Sequence, residues 1–164
     1  MNELPPERVE TIGLDHIYLT VLHLERSEKF YDAVLGLMDF RKSDFRIGDE
    51  PHRHYFNKSL QISIRPARTA TQYDSYAPGL HHLCLQVASN ADVDRLAGLL
   101  KSAGVDVSAL ALYPQYAEDY YAIFFSDPDG LRFEVVARRT GRNKVVARWS
   151  ELTTFLNPVA GLRD

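Results

Sequence analysis

The first half of the chain begins with a segment in which apolar and polar residues alternate. In residues 14–21, LDHIYLTV, the aliphatic side chains of positions 17, 19 and 21 alternate with His16, Tyr18 and Thr20. A period of two with β-branched and aromatic residues predicts a strand. One face of this strand is mostly aliphatic, and the other carries an imidazole, a phenol and a hydroxyl.

One helix and three further strands are predicted in the rest of the first half. Apolar residues recur at helical spacing between Phe30 and Leu37, and Gly36 suits the end of a helix. Pro66 ends the last strand because it cannot donate a hydrogen bond to a ladder. The predicted elements are a helix over 24–37 and strands over 38–47, 53–57 and 60–66.

A polar linker over 67–79 separates this half from a second segment with the same order of elements. The motif GLHHLCLQV again alternates, and it places His82 66 residues after His16. Gly104, which is suited to end the second helix, follows Gly36 by 68 residues. The predicted elements are a strand over 79–87, a helix over 91–102 that Ser89 or Asn90 can cap, and strands over 105–112, 120–126 and 131–137.

The repeat indicates one domain, residues 1–164, that is built from two βαβββ modules. Module 1 spans about 12–66 and module 2 about 80–137. Two such units can close their strands into one curved mixed sheet around a cup, with the helices outside, so the predicted fold class is α+β. The basic tail, 138–164, lies outside the repeat. Four apolar residues at helical spacing are expected to pack it on the body or on a second subunit: Trp149, Leu152, Phe155 and Leu156.

Three side chains are candidates for a metal site in the cup. His16 and His82 are related by the repeat, and both lie on a polar strand face. Glu134 lies between Phe133 and Val135 in the last strand, so it faces the cup if these two neighbours face the core. Two imidazoles and a carboxylate can hold a divalent ion and leave positions open for substrate. Fe, Mn, Ni and Zn all suit this ligand set.

The repeat predicts a fourth position in the strand LQISI. Gln61 is the best match to Glu134 there, and Ser63 is one register away. An amide oxygen can bind a metal but is a poor base. If Gln61 is the fourth ligand, Glu134 is therefore the carboxylate left to act as general base. A hydrogen-bonded residue of the cup is the alternative role for Gln61.

Three further residues are candidates for contact with a substrate. Tyr121 is predicted to reach the open side of the metal and to donate a hydrogen bond to a developing oxyanion. Tyr18 and His54 are predicted to hold the substrate. The alternatives are packing for the strand aromatics and simple surface exposure for His54.

Composition excludes some partners and favours one compartment. The formal net charge of −3, from 22 acidic and 19 basic residues, argues against a nucleic-acid partner. The single cysteine, Cys84, cannot form an internal disulfide, which favours a reducing, cytoplasmic setting. The first ten residues, MNELPPERVE, lack the apolar stretch of a signal peptide, and no segment is apolar enough to predict a membrane span. We therefore expect a cytoplasmic protein with no membrane partner.

The combination of these motifs resembles the vicinal oxygen chelate superfamily. The resemblance rests on DHIYLTV with FYDAVLGL, on GLHHLCLQV, and on FFSDPDGLRFEVV, and it covers about residues 12–137. Glyoxalase I, fosfomycin-resistance proteins, extradiol ring-cleaving dioxygenases and bleomycin-resistance proteins belong to this superfamily. The resemblance implies a homodimer with a divalent metal in the cup. It implies His16, His82 and Glu134 as ligands, with Gln61 at the position where glyoxalase I has a glutamate.

The same resemblance implies a class of mechanism. A small oxygenated metabolite would bind the metal through two neighbouring oxygens, and the ion would stabilise the charge that develops on them. We therefore expect an enzyme, either a glyoxalase-type lyase or isomerase or a ring-cleaving dioxygenase. A metal-free protein that binds a small molecule, of the bleomycin-resistance type, is the alternative.

Overall fold

The computed structural model describes residues 3–159 and contains two βαβββ modules, as the sequence predicts. An α-helix and a short 3-10 helix, Trp149–Glu151, follow the second module. The first module consists of β1 His16–Val21, α1 Leu24–Leu37, β2 Arg41–Ile47, β3 Glu50–Phe56 and β4 Gln61–Pro66. The second module and tail consist of β5 His82–Gln86, α2 Asn90–Ser102, β6 Ala111–Leu112, β7 Tyr121–Ser126, β8 Arg132–Ala137 and α3 Thr140–Ala147.

The strands form two four-stranded mixed sheets with the same topology. The first sheet has the order β1-β4-β3-β2 and the second the order β5-β8-β7-β6. In each sheet the first strand of the module runs parallel to the last, and the other pairs are antiparallel. Within residues 3–159 no strand pair joins the two sheets. The single curved sheet of the prediction is therefore two sheets, because β1 and β5 each pair on one side only.

Strand register corrects the match between the two halves of the repeat. His16 lies opposite Gln61 in the first sheet, whereas His82 lies opposite Arg132 in the second. Glu134 pairs with Cys84, two residues further along β5. The residue of module 1 that stands where Glu134 stands is therefore Ser63, which pairs with Tyr18. The sequence predicted Gln61 instead, which lies two residues earlier on β4.

The ends of the two helices are also equivalent, but not through the two glycines that the sequence indicated. After α2, Gly104 takes φ +81°, and the N–H of Val105 donates to the carbonyl of Leu100 at 3.0 Å. After α1 the left-handed residue is Asp39, with φ +63°, and Gly36 lies inside the helix. Asp39 takes this conformation without glycine because a short polar side chain tolerates it.

The two modules share one hydrophobic core, with α1 between them. Tyr31 of α1 is fully buried and packs against Tyr55 of its own module and Phe133 of the other. Its hydroxyl donates to Asp127 at 2.8 Å. In the same Asp-Pro-Asp-Gly turn, Asp129 accepts from the N–H of Leu22 and pairs with an arginine of α1. The modules therefore meet through α1 and this turn rather than through the edges of β1 and β5.

The structure also shortens two predicted elements. The strand expected over 105–112 is reduced to Ala111–Leu112. Upstream of it, Ser108 donates its backbone N–H to the carbonyl of Phe124 without continuing a ladder. In the tail, helix α3 ends at Ala147, short of the apolar residues that the helical spacing linked. Trp149 and Phe155 are 67% and 64% exposed, so they do not pack on the body of the described chain.

No helix among the described residues is long and apolar enough to cross a membrane.

Candidate functional site

The second sheet brings together His82 and Glu134 on the face that is opposite α2. The alternation along β5 buries Leu83 and leaves His82 39% exposed at the side chain. His82 Nε2 lies 3.5 Å from Glu134 Oε2. The other carboxylate oxygen, Oε1, is buried and has no hydrogen-bond partner among the described residues. A buried carboxylate oxygen without a partner is costly in a protein interior, and a cation beside it would offset that cost.

Two more side chains surround this carboxylate. Burial and the neighbouring Glu134 raise the pKa of the Cys84 thiol to about 12, so the thiol stays protonated at neutral pH. Burial also raises the pKa of Tyr120, and Glu134 contributes to that shift. Tyr120 directly follows the segment YPQYAED, residues 113–119, and Tyr113 at the start of that segment packs against Phe124. Glu134 therefore lies beside two groups whose pKa values are raised, so both stay protonated at neutral pH.

Tyr121, the phenol predicted beside the metal, lies on the other face of the sheet. Its hydroxyl donates to Asp94 of α2 at 2.7 Å. In β7 Phe124 pairs with Glu134, so Tyr121, an odd number of residues away, projects to the opposite side. Tyr120 is the tyrosine beside Glu134. Tyr120 and Tyr121 are adjacent, so they point to opposite faces of the sheet. Only the pairing of β7 with β8 shows which of the two lies on the face of Glu134.

The first sheet carries the other candidate ligands. The side chain of His16 is 52% exposed, and its Nδ1 lies 2.7 Å from Asp15 Oδ2. Metal-binding histidines commonly use one ring nitrogen for the ion and the other for a carboxylate. In the second sheet His82 Nδ1 likewise lies 2.7 Å from a ring nitrogen of His81. Both histidines thus have Nδ1 engaged, which leaves Nε2 to bind a metal.

Gln61 lies opposite His16 in the register and is half-buried. Its amide nitrogen donates to Ser63 Oγ at 2.9 Å. This hydrogen bond uses the amide nitrogen and leaves the amide oxygen, the atom through which an amide side chain can bind a metal.

The two predicted substrate-binding residues, Tyr18 and His54, are in contact on the same face as His16. The Tyr18 hydroxyl lies 3.0 Å from His54 Nε2 and 2.8 Å from His52 Nδ1. Burial lowers the pKa of both histidines, which favours their neutral forms. His52 is fully buried, and the sequence pattern predicted no role for it. Its spacing of two residues from His54 was the signal that could have found it.

The described chain does not assemble these side chains into one site. No group of three or more histidine, cysteine or acidic side chains within residues 3–159 is arranged to hold a metal ion. His16 and Gln61 lie on the first sheet, and His82 and Glu134 on the second. Both β1 and β5 are edge strands with one side unpaired, and each carries one of the histidines. A single chain thus presents two half-sites.

The fold and these half-sites define a class of protein: paired βαβββ modules with histidine and glutamate on open strands. Residues 13–135 match the family model described as the Glyoxalase/Bleomycin resistance protein/Dioxygenase superfamily. The chain belongs to this superfamily, and the resemblance found in the sequence is confirmed.

Known relatives agree with this assignment. The uncharacterized protein YqjT of Bacillus subtilis (strain 168) is 28% identical over 128 residues, which are 76% of this chain and 98% of that protein. A glyoxylase/bleomycin resistance protein/dioxygenase domain from Frankia sp. EAN1pec is 26% identical, with a TM-score of 0.65 over 78% of this chain and 98% of that one.

A third relative is similar in fold. The fosfomycin resistance protein FosX of Listeria monocytogenes, in a complex with Mn(II) and sulfate ion, is 20% identical. Its TM-score is 0.58 over 82% of this chain and 98% of that chain.

Proposed function

We propose that this protein is a metal-dependent enzyme of the glyoxalase/dioxygenase type that acts on a small oxygenated metabolite. The observation that carries the proposal is the pair of His82 and Glu134, 3.5 Å apart, with one buried glutamate oxygen that has no partner among the described residues. The fold family supports the same assignment, since FosX is described in complex with Mn(II).

The donor set fits a divalent ion. His16 and His82 would bind through Nε2, Glu134 through its carboxylate, and Gln61 through its amide oxygen. Imidazole with carboxylate and amide oxygen suits Fe, Mn, Ni or Zn. When bound, the ion would supply Lewis-acid stabilisation of negative charge on two neighbouring oxygens of the substrate.

We infer that a homodimer completes the site. Within one chain α1 and the Asp-Pro-Asp-Gly turn hold the modules together, and the two half-sites stay apart. The open edges of β1 and β5 let His16 and Gln61 of one copy face the partner subunit's His82 and the partner subunit's Glu134. Covering these two edges also removes unpaired strand edges, which otherwise favour uncontrolled association.

The remaining residues of the half-sites have roles that follow from their positions. Glu134, which is buried and lies beside His82, would accept a proton from a carbon or hydroxyl of the substrate. Tyr120, rather than the predicted Tyr121, would donate a hydrogen bond to negative charge that develops on the substrate. Tyr18 and His54 hold the substrate from the other half of the cup. The Tyr18 hydroxyl is fixed by two histidines, so its orientation costs little entropy on binding.

Metal binding by the purified protein tests the proposal. We expect one divalent ion per His82–Glu134 pair, and an affinity at least about tenfold weaker in His82→Ala, since a lost ligand costs more than the tenfold typical of a lost outer-shell partner. His23→Ala, an exposed histidine at the start of α1, is the control and should bind the ion normally. A protein that holds no divalent ion, and whose ligand binding is unchanged in His82→Ala, would instead be a metal-free binder.

The type of reaction follows from two assays on the metal-loaded protein. Dioxygen consumption with a panel of catechols reports ring cleavage. Methylglyoxal with a thiol under anaerobic conditions reports the glyoxalase-type isomerisation. The identity of the bound metal is a further test of the reaction type. Iron would favour ring cleavage with dioxygen, and nickel or zinc would favour the glyoxalase-type reaction.

A further inference from the structure

A hollow of about 380 Å³ opens where the ends of β1 and β4 meet the linker and the Asp-Pro-Asp-Gly turn. Arg65 and Arg68 line it, together with three threonines, Thr20, Thr69 and Thr71. Guanidinium groups and hydroxyls are all hydrogen-bond donors, and together they suit a bound anion.

The two arginines share one carboxylate. Arg65 pairs with Glu50 through Nη2, and Arg68 Nε donates to the other oxygen of Glu50 at 3.0 Å. The hydrogen bond from Arg68 lowers the pKa of Glu50, with Arg65 adding to the effect, so Glu50 is ionised at neutral pH. Two guanidinium groups with one carboxylate leave one positive charge uncompensated.

Other charges near the hollow do not remove this excess. Asp129 also lines it, but one of its oxygens pairs with Arg26 and the other accepts from the N–H of Leu22. Arg65 in addition has a buried Nε with no hydrogen-bond partner among the described residues. The Arg65 side chain is partly exposed, and its pairing with Glu50 fixes the orientation of the guanidinium, so donors not used by Glu50 are available to an anion.

The hollow lies on the same face of the first sheet as the candidate metal ligand. Thr20 is paired with Arg65 and follows His16 by four residues on β1. At about 3.3 Å per residue, the two positions are about 13 Å apart along the strand. An extended molecule that reaches the metal at one end can therefore reach the arginines at the other.

We propose that Arg65 and Arg68 form a subsite for an oxyanion, a phosphate or a carboxylate, that is carried at the end of the substrate remote from the metal. The anion would bind Arg68, which is 77% exposed at the side chain, and the spare donors of Arg65. The role of this subsite in substrate selection rests on the proposed function, whereas anion binding by the hollow does not.

Anion binding is tested on the protein without added metal. Inorganic phosphate and acetate are titrated at low salt while the arginine Nε–H and the Thr69 and Thr71 amide resonances are followed by NMR. We expect saturable binding that weakens about tenfold in Arg68→Ala, the loss typical of one charge-assisted hydrogen bond. Tighter binding of phosphate than acetate would assign the subsite to phosphates, and the reverse order to carboxylates.

Arg41→Ala is the matched control. Arg41 is 69% exposed at the side chain and is also paired with a carboxylate, that of Asp39 at 2.9 Å. Its loss should leave anion binding unchanged. No saturable shift at millimolar phosphate or acetate, or equal weakening in both variants, would overturn the subsite.

The link to substrate is tested on the metal-loaded protein with two chelating probes. A catechol with a propionate chain should bind about tenfold more tightly than 4-methylcatechol, and Arg68→Ala should abolish the preference. Equal binding of both catechols overturns the subsite and leaves the proposed function intact. Phosphate binding with no binding of either catechol supports the anion site and counts against the metal-dependent function.

Discussion

At the scale of single residues, the chemistry of the candidate site depends on which face of a strand a side chain takes. Period two on β5 and β8 placed His82 and Glu134 on one face, as the sequence predicts. The choice between Tyr120 and Tyr121, and between Gln61 and Ser63, depended on register. A shift of one or two residues in pairing is not encoded in the composition of a strand.

Tyr31 shows how one buried side chain joins the two modules and how this can be measured. Burial, with the carboxylate of Asp127 beside it, raises the pKa of Tyr31 well above its usual value near 10. The folded protein therefore keeps the phenol protonated where the unfolded chain would lose the proton. The stabilisation is complete below about pH 10 and is lost as the pH rises through the folded pKa.

We predict two effects of Tyr31→Phe. The free energy of unfolding at pH 7 should fall by about 1–3 kcal/mol, because the buried Asp127 loses a hydrogen bond. Above about pH 10 the free energy should decline less steeply than in the wild type. Denaturant unfolding across this pH range measures both. Tyr76→Phe, at an 86% exposed tyrosine, should change neither. If the free energy of unfolding of Tyr31→Phe declined above about pH 10 as steeply as that of the wild type, the raised pKa would not belong to Tyr31.

At the scale of elements, the helices follow their sequence signals closely, and the strands do so less well. The helix α2 begins at Asn90, one residue before the predicted start, and of the two predicted caps it uses Ser89, whose hydroxyl accepts from the N–H of Asp92 at 3.2 Å. A cap is a local interaction, so the sequence specifies it. The predicted strand over 105–112 was mostly not a strand, because a ladder requires a neighbour at the right distance and register.

Two glycines of α2 give a matched test of these local effects. Neither Gly98, inside the helix, nor Gly104, after it at φ +81°, has an atom within 4 Å of a built Cβ. Gly98→Ala should therefore stabilise the protein by about 0.5–1 kcal/mol through helix propensity. Gly104→Ala should destabilise it by about 1–2 kcal/mol, because an L-residue is strained there. Thermal or urea unfolding gives the sign of each change. Two changes of the same sign would show that packing, not conformation, governs these positions.

At the scale of the whole molecule, the contacts of α1 decide where the half-sites lie. Tyr31, Leu22 and Asp129 hold module 1 against module 2 through the helix and the turn. The histidine-bearing strands are left at open edges. A complete set of ligands then requires a second copy in our proposal, and the two-fold symmetry of a homodimer would give two equal sites.

Mixing two inactive variants tests this assembly. We predict that His16→Ala and His82→Ala each bind metal poorly, and that subunit exchange between them restores binding. A mixed dimer would have one site with all ligands and one that lacks both histidines. Random exchange should therefore recover about a quarter of the wild-type sites. Titration of the metal before and after exchange measures this. No recovery, with exchange confirmed by mass, would place all ligands of a site within one chain.

The sequence by itself determined the repeat, the two βαβββ modules, the bounds of α1 and α2 to within one residue, and the residue types of the candidate ligands. Those features depend on local periodicity and on caps, which residues close in sequence fix. Only the tertiary structure decided the register that places Ser63 at the position of Glu134, and the face that removes Tyr121 from it. It also decided the separation of His16 from His82 and the sharing of Glu50 by two arginines. These features depend on contacts between residues far apart in the chain, which are settled by packing around α1 rather than by any single segment.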